Sequence, residues 1–167
     1  MATALVALGQ MVAISVANNT AARTATYAAV LAQQKMEQLR GLMWGYDARG
    51  LPLTDASTNT AAPTESPSGG TGLTPSPSSA LTTNIAGYVD YVDRFGNIIG
   101  SGETTPAHTA YVRRWSIEPL PSNPDNTLIL QVVVSTLVER GTSERAGSMA
   151  RRRDEARLVT VKTRKAQ

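Results

Sequence analysis

Side chains that commonly carry out catalysis or bind transition metals are scarce in this sequence. It has no cysteine and a single histidine, His108, which excludes thiolate chemistry and cysteine-ligated zinc and gives a histidine-based nucleophile triad little support. His108 follows Pro106 closely, and this context is more typical of a loop than of a catalytic site. We therefore predict no catalytic residue, no metal site and no cofactor, and a protein that is not an enzyme.

The carboxylates of Asp90 and Asp93 are a second candidate for chemistry. A general acid and base pair needs both groups on one face, but residues three apart in a predicted strand point to opposite faces. Asp93 and Asn97 flank a turn-like Phe95-Gly96 pair, where capping of the turn is a simpler interpretation than a cation site. The sequence contains neither a Walker nor a dinucleotide-binding glycine pattern.

The run Arg151, Arg152 and Arg153 is the third candidate, as a contact for DNA, anionic lipid or an acidic protein surface. Asp154 and Glu155 follow it directly and partly neutralise it, and the whole chain carries a net charge of only +3. This pattern favours a solvated loop between two strands, so nucleic acid is a partner that we do not favour.

Among the elements that must position these side chains, the clearest prediction is one long N-terminal helix. No charged residue occurs from Met1 to Ala17, and neither proline nor glycine interrupts the chain from there to Gly41. We predict a helix from about Ala2 to about Met43, roughly 60 Å long at 1.5 Å per residue. Its uncharged start is shorter than the ~20 apolar residues that a bilayer-spanning helix needs.

The second half of this helix is amphipathic and is expected to pack on a small globular head. Its apolar side chains recur at helical spacing along one face. The side chains predicted to make this contact are Ala28, Leu31, Ala32, Met36, Leu39 and Met43.

The rest of the chain divides into a polar connection and a β-rich region. Residues 46–84 are rich in Ser, Thr, Pro and Gly and are predicted to be a long loop, mobile or laid over the head, with too little apolar surface to order itself. Strand patterns and turn residues follow in 85–167, without a convincing helix between them. We therefore predict one α+β domain, with helix 1–45, loop 46–84 and an antiparallel sheet in 85–167.

A long N-terminal helix followed by a variable loop and an antiparallel sheet resembles the type IV pilin and type II secretion pseudopilin superfamily, especially its minor pilins. The most specific piece is LAQQKMEQLR, from Leu31 to Arg40, which is similar to runs where the helix of such subunits meets the head. The segments YVDYVDRFGN and RRW are similar to head segments of the same branch. The basic leader, the glycine and the early acidic residue of the family's processing site are not present, so the resemblance implies a chain that begins inside the helix.

This resemblance implies a structural subunit that assembles with other pilin-like subunits through its first helix half. It further implies a subunit held in the bacterial inner membrane, with its head in the periplasm, that joins a periplasmic or cell-surface filament with the help of an assembly machinery. Two other classes stay open, a secreted soluble β-rich protein and a nucleic-acid-binding module of DNA uptake. The side chains expected in the membrane and then in the filament core are Leu5, Val6, Leu8, Met11, Val12, Ile14 and Val16.

Overall fold

One helix and seven strands make up the part of the chain that the computed structural model describes, residues 2–61, 68–137 and 155–164. They form a single long helix, a five-stranded antiparallel sheet and a separate two-stranded sheet. This confirms the predicted α+β class and the antiparallel pairing. The elements are α1 (Ala2–Gly41), β1 (Trp44–Tyr46), β2 (Pro52–Thr54), β3 (Val89–Val92), β4 (Ile98–Ser101), β5 (Tyr111–Pro119), β6 (Thr127–Thr136) and β7 (Glu155–Thr163).

The helix α1 is 40 residues long and ends at Gly41, two residues before the end that helical spacing predicts. Glycine loses more conformational entropy in a helix than other residues do, which favours termination there. The last carbonyl groups of a helix lack intrahelical donors. Here the ammonium group of Lys162 donates to the carbonyl oxygens of Arg40 and Leu42, so a residue of β7 caps the end of α1.

The larger sheet has the strand order β4-β3-β5-β6-β7. Its centre is the long β5–β6 pair, in register from Tyr111 opposite Thr136 to Pro119 opposite Leu128. β7 pairs with β6 along its whole length and forms one edge of the sheet. α1 lies across β5, β6 and β7 on one face, and the side chains that alternate toward that face form the core.

The core joins the second half of α1 to the central strands. Trp115 and Ile117 of β5 and alternate residues of β6 are fully buried against the helix. A second, smaller cluster lies on the opposite face of the sheet, around Tyr91. β3 is consequently buried on both faces, which explains why its sequence does not alternate cleanly between apolar and polar residues.

The predicted packing role of Met43 is wrong. Its side chain is 54% exposed, because α1 ends at Gly41 and the helical spacing that would place residue 43 beside Leu39 no longer applies. The next residue, Trp44, begins β1 and is buried in the core instead.

The polar connection 46–84 is laid over the head in its described parts, and it is more structured than its composition suggested. It contains most of the β1–β2 hairpin, and it buries Leu73 and Ala80 in the main core. The backbone N–H of Ser76 donates to the carbonyl oxygen of Ile117 at 2.9 Å, which extends the pairing along the edge of β5. Contacts with the head therefore order a segment that has little apolar surface of its own.

Candidate functional site

In the first half of α1, the side chains that the structure describes are exposed to solvent on all sides. Every residue from 10 to 23 is exposed, which corresponds to about four helical turns without a contact that buries them. Four apolar side chains in this stretch are between 60 and 71% exposed: Met11, Val12, Ile14 and Val16. The side chains of the other three predicted filament-core residues, Leu5, Val6 and Leu8, lie outside the described part of the structure. We call residues 10–23 the exposed stretch.

The hydroxyl groups of several threonines in α1 donate hydrogen bonds to carbonyl oxygens of the same helix. Thr20 donates to the carbonyl oxygen of Val16, and Thr24 donates to that of Thr20, each at 2.9 Å. Such bonds to the preceding turn reduce the polarity that a hydroxyl presents to its surroundings. Within the described residues, no helix has both the length and the hydropathy of a membrane-crossing segment.

The second half of α1 meets the sheet through the predicted face. Ala28, Leu31, Ala32, Met36 and Leu39 are all buried in the main core. Because two alanines lie on this face, the helix backbone approaches the sheet closely, and the larger Trp115 fills the space on the opposing strand. The head therefore holds only the second half of α1 and leaves the first half without a partner among the described residues.

A charged cluster is buried between this half of the helix and the sheet. The carboxylate of Asp90 accepts two hydrogen bonds from the guanidinium group of Arg113, both at 2.8 Å. The ammonium group of Lys35 lies 2.8 Å from the same carboxylate, and all three side chains are nearly or fully buried. Arg113 also donates to the carbonyl oxygen of Leu31 at 3.1 Å, so the cluster joins α1 directly to β3 and β5.

The ammonium group of Lys35 has further partners. It donates to the side-chain oxygen of Gln38 at 2.8 Å and to the carbonyl oxygen of Thr60, and it lies 4.2 Å from the centre of the Trp115 ring. Removal from water nevertheless lowers the pKa of Lys35 to about 8; Asp90 opposes this shift and the charge of Arg113 adds to it. The cluster thus holds two cations for one anion, and burial of the excess positive charge is unfavourable.

Sequence reasoning did not identify this cluster. It predicted that Asp90 and Asp93 face opposite sides of one strand, but β3 ends at Val92 and Asp93 lies in the turn that follows. It did not foresee that Asp90 faces the helix. One signal was present: Lys35 lies midway between Leu31 and Leu39 at steps of four, which places it on the buried face. A charged residue at such a position predicts a buried partner of opposite charge.

A pocket lies where the exposed stretch reaches the head, between α1 and the turn that joins β3 to β4. Its volume is about 210 Å³. Tyr27 and Tyr111 pack with ring centres 5.6 Å apart. Burial raises the pKa of Tyr111, as does the neighbouring Tyr27, whereas the charge of Arg23 lowers it. We call this site the junction pocket; it is lined by Thr20, Arg23, Thr24, Tyr27, Arg94 and Tyr111.

The remaining candidates from the sequence do not form a reaction centre within the described residues. His108 is exposed in a loop and has a positive φ of 65°, a conformation in which histidine is enriched among non-glycine residues. Asp93 caps its turn as the favoured interpretation predicts: its carboxylate accepts from the backbone N–H groups of Phe95 and Asn97 and from the Asn97 side chain. The run Arg151, Arg152 and Arg153 lies outside the described residues.

Among the residues that the structure describes, metal-ligating side chains are not clustered either. In residues 2–61, 68–137 and 155–164, no group of three or more His, Cys, Asp or Glu side chains is placed to hold a metal ion. Comparison of the chain with protein-family models, with curated proteins and with solved structures found no match.

Proposed function

We propose that this chain is a structural subunit of a filament of the type IV pilus or type II secretion pseudopilus kind, and that it assembles through the first half of α1. The observation that supports this proposal is the exposed stretch, a helical segment whose aliphatic side chains are uncovered on every side. Before assembly the same half of α1 holds the subunit in the bacterial inner membrane with its head in the periplasm. Other pilin-like subunits and an assembly machinery are then its partners.

The energetics favour a bundle of many helices over a simple pair. Burial of one aliphatic side chain of this size contributes about 1.5–3 kcal/mol, and the exposed stretch carries four of them in the described residues. Association of two proteins costs about 4–15 kcal/mol in lost translational and rotational freedom. Two helices can cover only part of each other, so the gain exceeds the cost only when each helix is surrounded by several copies. A contact that repeats from one copy to the next without closing into a ring produces an open filament.

The test is assembly of the purified full-length chain on dilution out of a neutral maltoside detergent. Sedimentation and electron microscopy are expected to show elongated assemblies of the unchanged protein. The double variant Val12→Glu/Val16→Glu places two charges on the exposed stretch and is expected to stay monomeric, because charged groups are too costly to bury between apolar helices.

The matched control is Gln33→Glu/Gln34→Glu, which adds the same two charges to exposed positions in the head-packed half of the helix. This variant should assemble like the unchanged chain. The proposal is refuted if the unchanged chain stays monomeric at high concentration without detergent, or if the Val12→Glu/Val16→Glu variant assembles equally well.

A further inference from the structure

We propose that the junction pocket binds a phosphate group through the guanidinium groups of Arg23 and Arg94. Both residues line the same pocket of about 210 Å³. One water occupies about 30 Å³ of liquid, so the space accommodates a phosphate group. Guanidinium groups suit this ligand because their planar donors match phosphate oxygens.

The charge of the pocket is not neutralised by the described residues. No carboxylate among them forms an ion pair with Arg23 or Arg94, and none lines the pocket. The carboxylate nearest to Arg94 in sequence is that of Asp93. Its oxygens accept hydrogen bonds from the amides of its own turn and from the Asn97 side chain. The two arginines therefore bring positive charge to the pocket that no described carboxylate neutralises.

The turn that carries Arg94 is held in place before a ligand binds. Asp93 holds the turn on one side, through the hydrogen bonds at 2.8–3.0 Å to Phe95 and Asn97. On the other side the hydroxyl of Tyr27 lies so close to Gly96 that a β-carbon there would be 2.7 Å from it. The guanidinium group of Arg94 also lies 4.7 Å from the centre of the Phe95 ring. A site that is ordered in advance loses less entropy when it binds.

The pocket is also placed where a phosphate group of a lipid would be found. Thr20 and Arg23 end the exposed stretch, and Arg94 and Tyr111 on the other side of the pocket belong to the head. If the first half of α1 lies in a bilayer, as in the proposed function, the pocket faces the headgroups. The lipid source of the phosphate rests on that proposed function, but the phosphate chemistry of the pocket does not.

The first experiment titrates the full-length chain with inorganic phosphate in maltoside detergent, which contains no phosphate, at constant ionic strength set with chloride. Amide chemical shifts should change saturably at residues 20–27 and 93–97. Arg23→Gln and Arg94→Gln are each expected to weaken binding about tenfold, as loss of one charge-assisted hydrogen bond predicts. Arg49→Gln, which removes the same charge from an exposed turn outside the pocket, should bind as the unchanged chain does.

The second experiment identifies the source of the phosphate group by sedimentation with vesicles. If the ligand is a lipid headgroup, vesicles with phosphatidic acid will bind the unchanged chain and Arg49→Gln more strongly than the Arg23→Gln/Arg94→Gln variant. Equal binding of all three proteins, together with a saturable response to phosphate, identifies free phosphate as the ligand. The proposal is overturned if phosphate causes no saturable shift at the pocket, or the same shift in the double variant. Neither result depends on filament assembly, so the proposed function can fail separately.

Discussion

At the scale of single residues, the buried cluster of Lys35, Asp90 and Arg113 is the most unusual feature of the head. Burial of charges costs more than their attraction returns unless hydrogen bonds satisfy the remaining donors and acceptors. Here the carboxylate of Asp90 serves both cations, at 2.8 Å each. Its removal would leave two like charges together in the core, whereas removal of Lys35 would leave a balanced pair.

Asp90→Ala is therefore expected to lower the free energy of unfolding by about 3–5 kcal/mol. Lys35→Met should cost less, about 1–2 kcal/mol, because the carbonyl oxygen of Thr60 loses its donor but Asp90 keeps both bonds from Arg113. Urea denaturation of the two variants and the unchanged protein measures both values. Equal losses would show that Asp90 does not hold the cluster together.

The low pKa of Lys35 predicts how stability depends on pH. Its pKa is about 8 in the folded protein, against an ordinary value of 10.5, so between these limits the unfolded chain binds more protons. Stability contributed by this group is then lowest below pH 8 and rises with pH. Between pH 8 and pH 10 the rise is about 2 kcal/mol.

The measurement is the difference in unfolding free energy between the unchanged protein and Lys35→Met at several pH values. Because other titrating groups are common to both, their effects cancel in this difference. A difference that stays constant from pH 7 to pH 10 would contradict the lowered pKa.

At the scale of elements, α1 is one continuous helix with two different environments. Leu39 is fully buried between the helix and the sheet, while Val16 is 60% exposed. Leu39→Ala should lower the free energy of unfolding of the head by about 2–5 kcal/mol. Val16→Ala should change it by less than about 0.5 kcal/mol. Thermal unfolding in detergent compares the two, and a large loss in Val16→Ala would mean that the head covers the exposed stretch.

The turn between β3 and β4 offers a second test of an element, because its Gly96 can be compared with Gly102, which directly follows β4. The two glycines have similar backbone conformations, with a φ of 92° at Gly96 and 97° at Gly102. Their surroundings differ: an added β-carbon would meet the ring and hydroxyl of Tyr27 at Gly96, but would have no neighbour within 4 Å at Gly102. Alanine at either position costs about 1–3 kcal/mol in backbone strain. Gly96→Ala should cost about 1 kcal/mol more, from overpacking against the hydroxyl.

The double variant Tyr27→Phe/Gly96→Ala tests the cause of this additional loss. It should regain the stability by which Gly96→Ala falls below Gly102→Ala, because phenylalanine lacks the oxygen that would lie 2.7 Å from the new β-carbon. Urea midpoints give the three values. If Gly96→Ala and Gly102→Ala lose the same stability, the turn is not seated against Tyr27.

At the scale of the whole molecule, apolar and charged surfaces occupy different places along one axis. The apolar side chains of the exposed stretch come first, the arginines of the junction pocket follow at the start of the head, and the ion cluster lies inside it. The same helix passes through all three regions. A partner that covers the exposed stretch therefore also lies next to the junction pocket, which links the two proposals in space.

The sequence predicted the elements whose signals are local. The long helix has no internal proline after an uncharged start, and β6 is a run of β-branched and aliphatic residues, so periodicity and propensity agree there with the final structure. The turn cap by Asp93 was predicted for the same reason, since the bonds of an aspartate to the next few amides depend on neighbours in sequence.

Other features depend on contacts between distant segments, and local signals could not predict them. Residues 69–84 adopt a defined conformation because they contact β5 and the core, as the hydrogen bond from Ser76 to Ile117 and the burial of Leu73 show. Met43 was assigned to the core because its spacing fits a helix that in fact stops at Gly41, where Lys162 of β7 caps the last carbonyls.

By itself, then, the sequence determined a long helix with an uncharged first half, an antiparallel α+β head and a chain almost without catalytic or metal-binding side chains. Those properties follow from composition, periodicity and the residues that each turn requires. Only the tertiary structure decided that Lys35, Asp90 and Arg113 meet in the core and that Arg23 and Arg94 line one pocket at the junction. The reason is that α1 and the strands and turns that supply these partners lie far apart in the sequence, and only packing of α1 on the sheet brings them together.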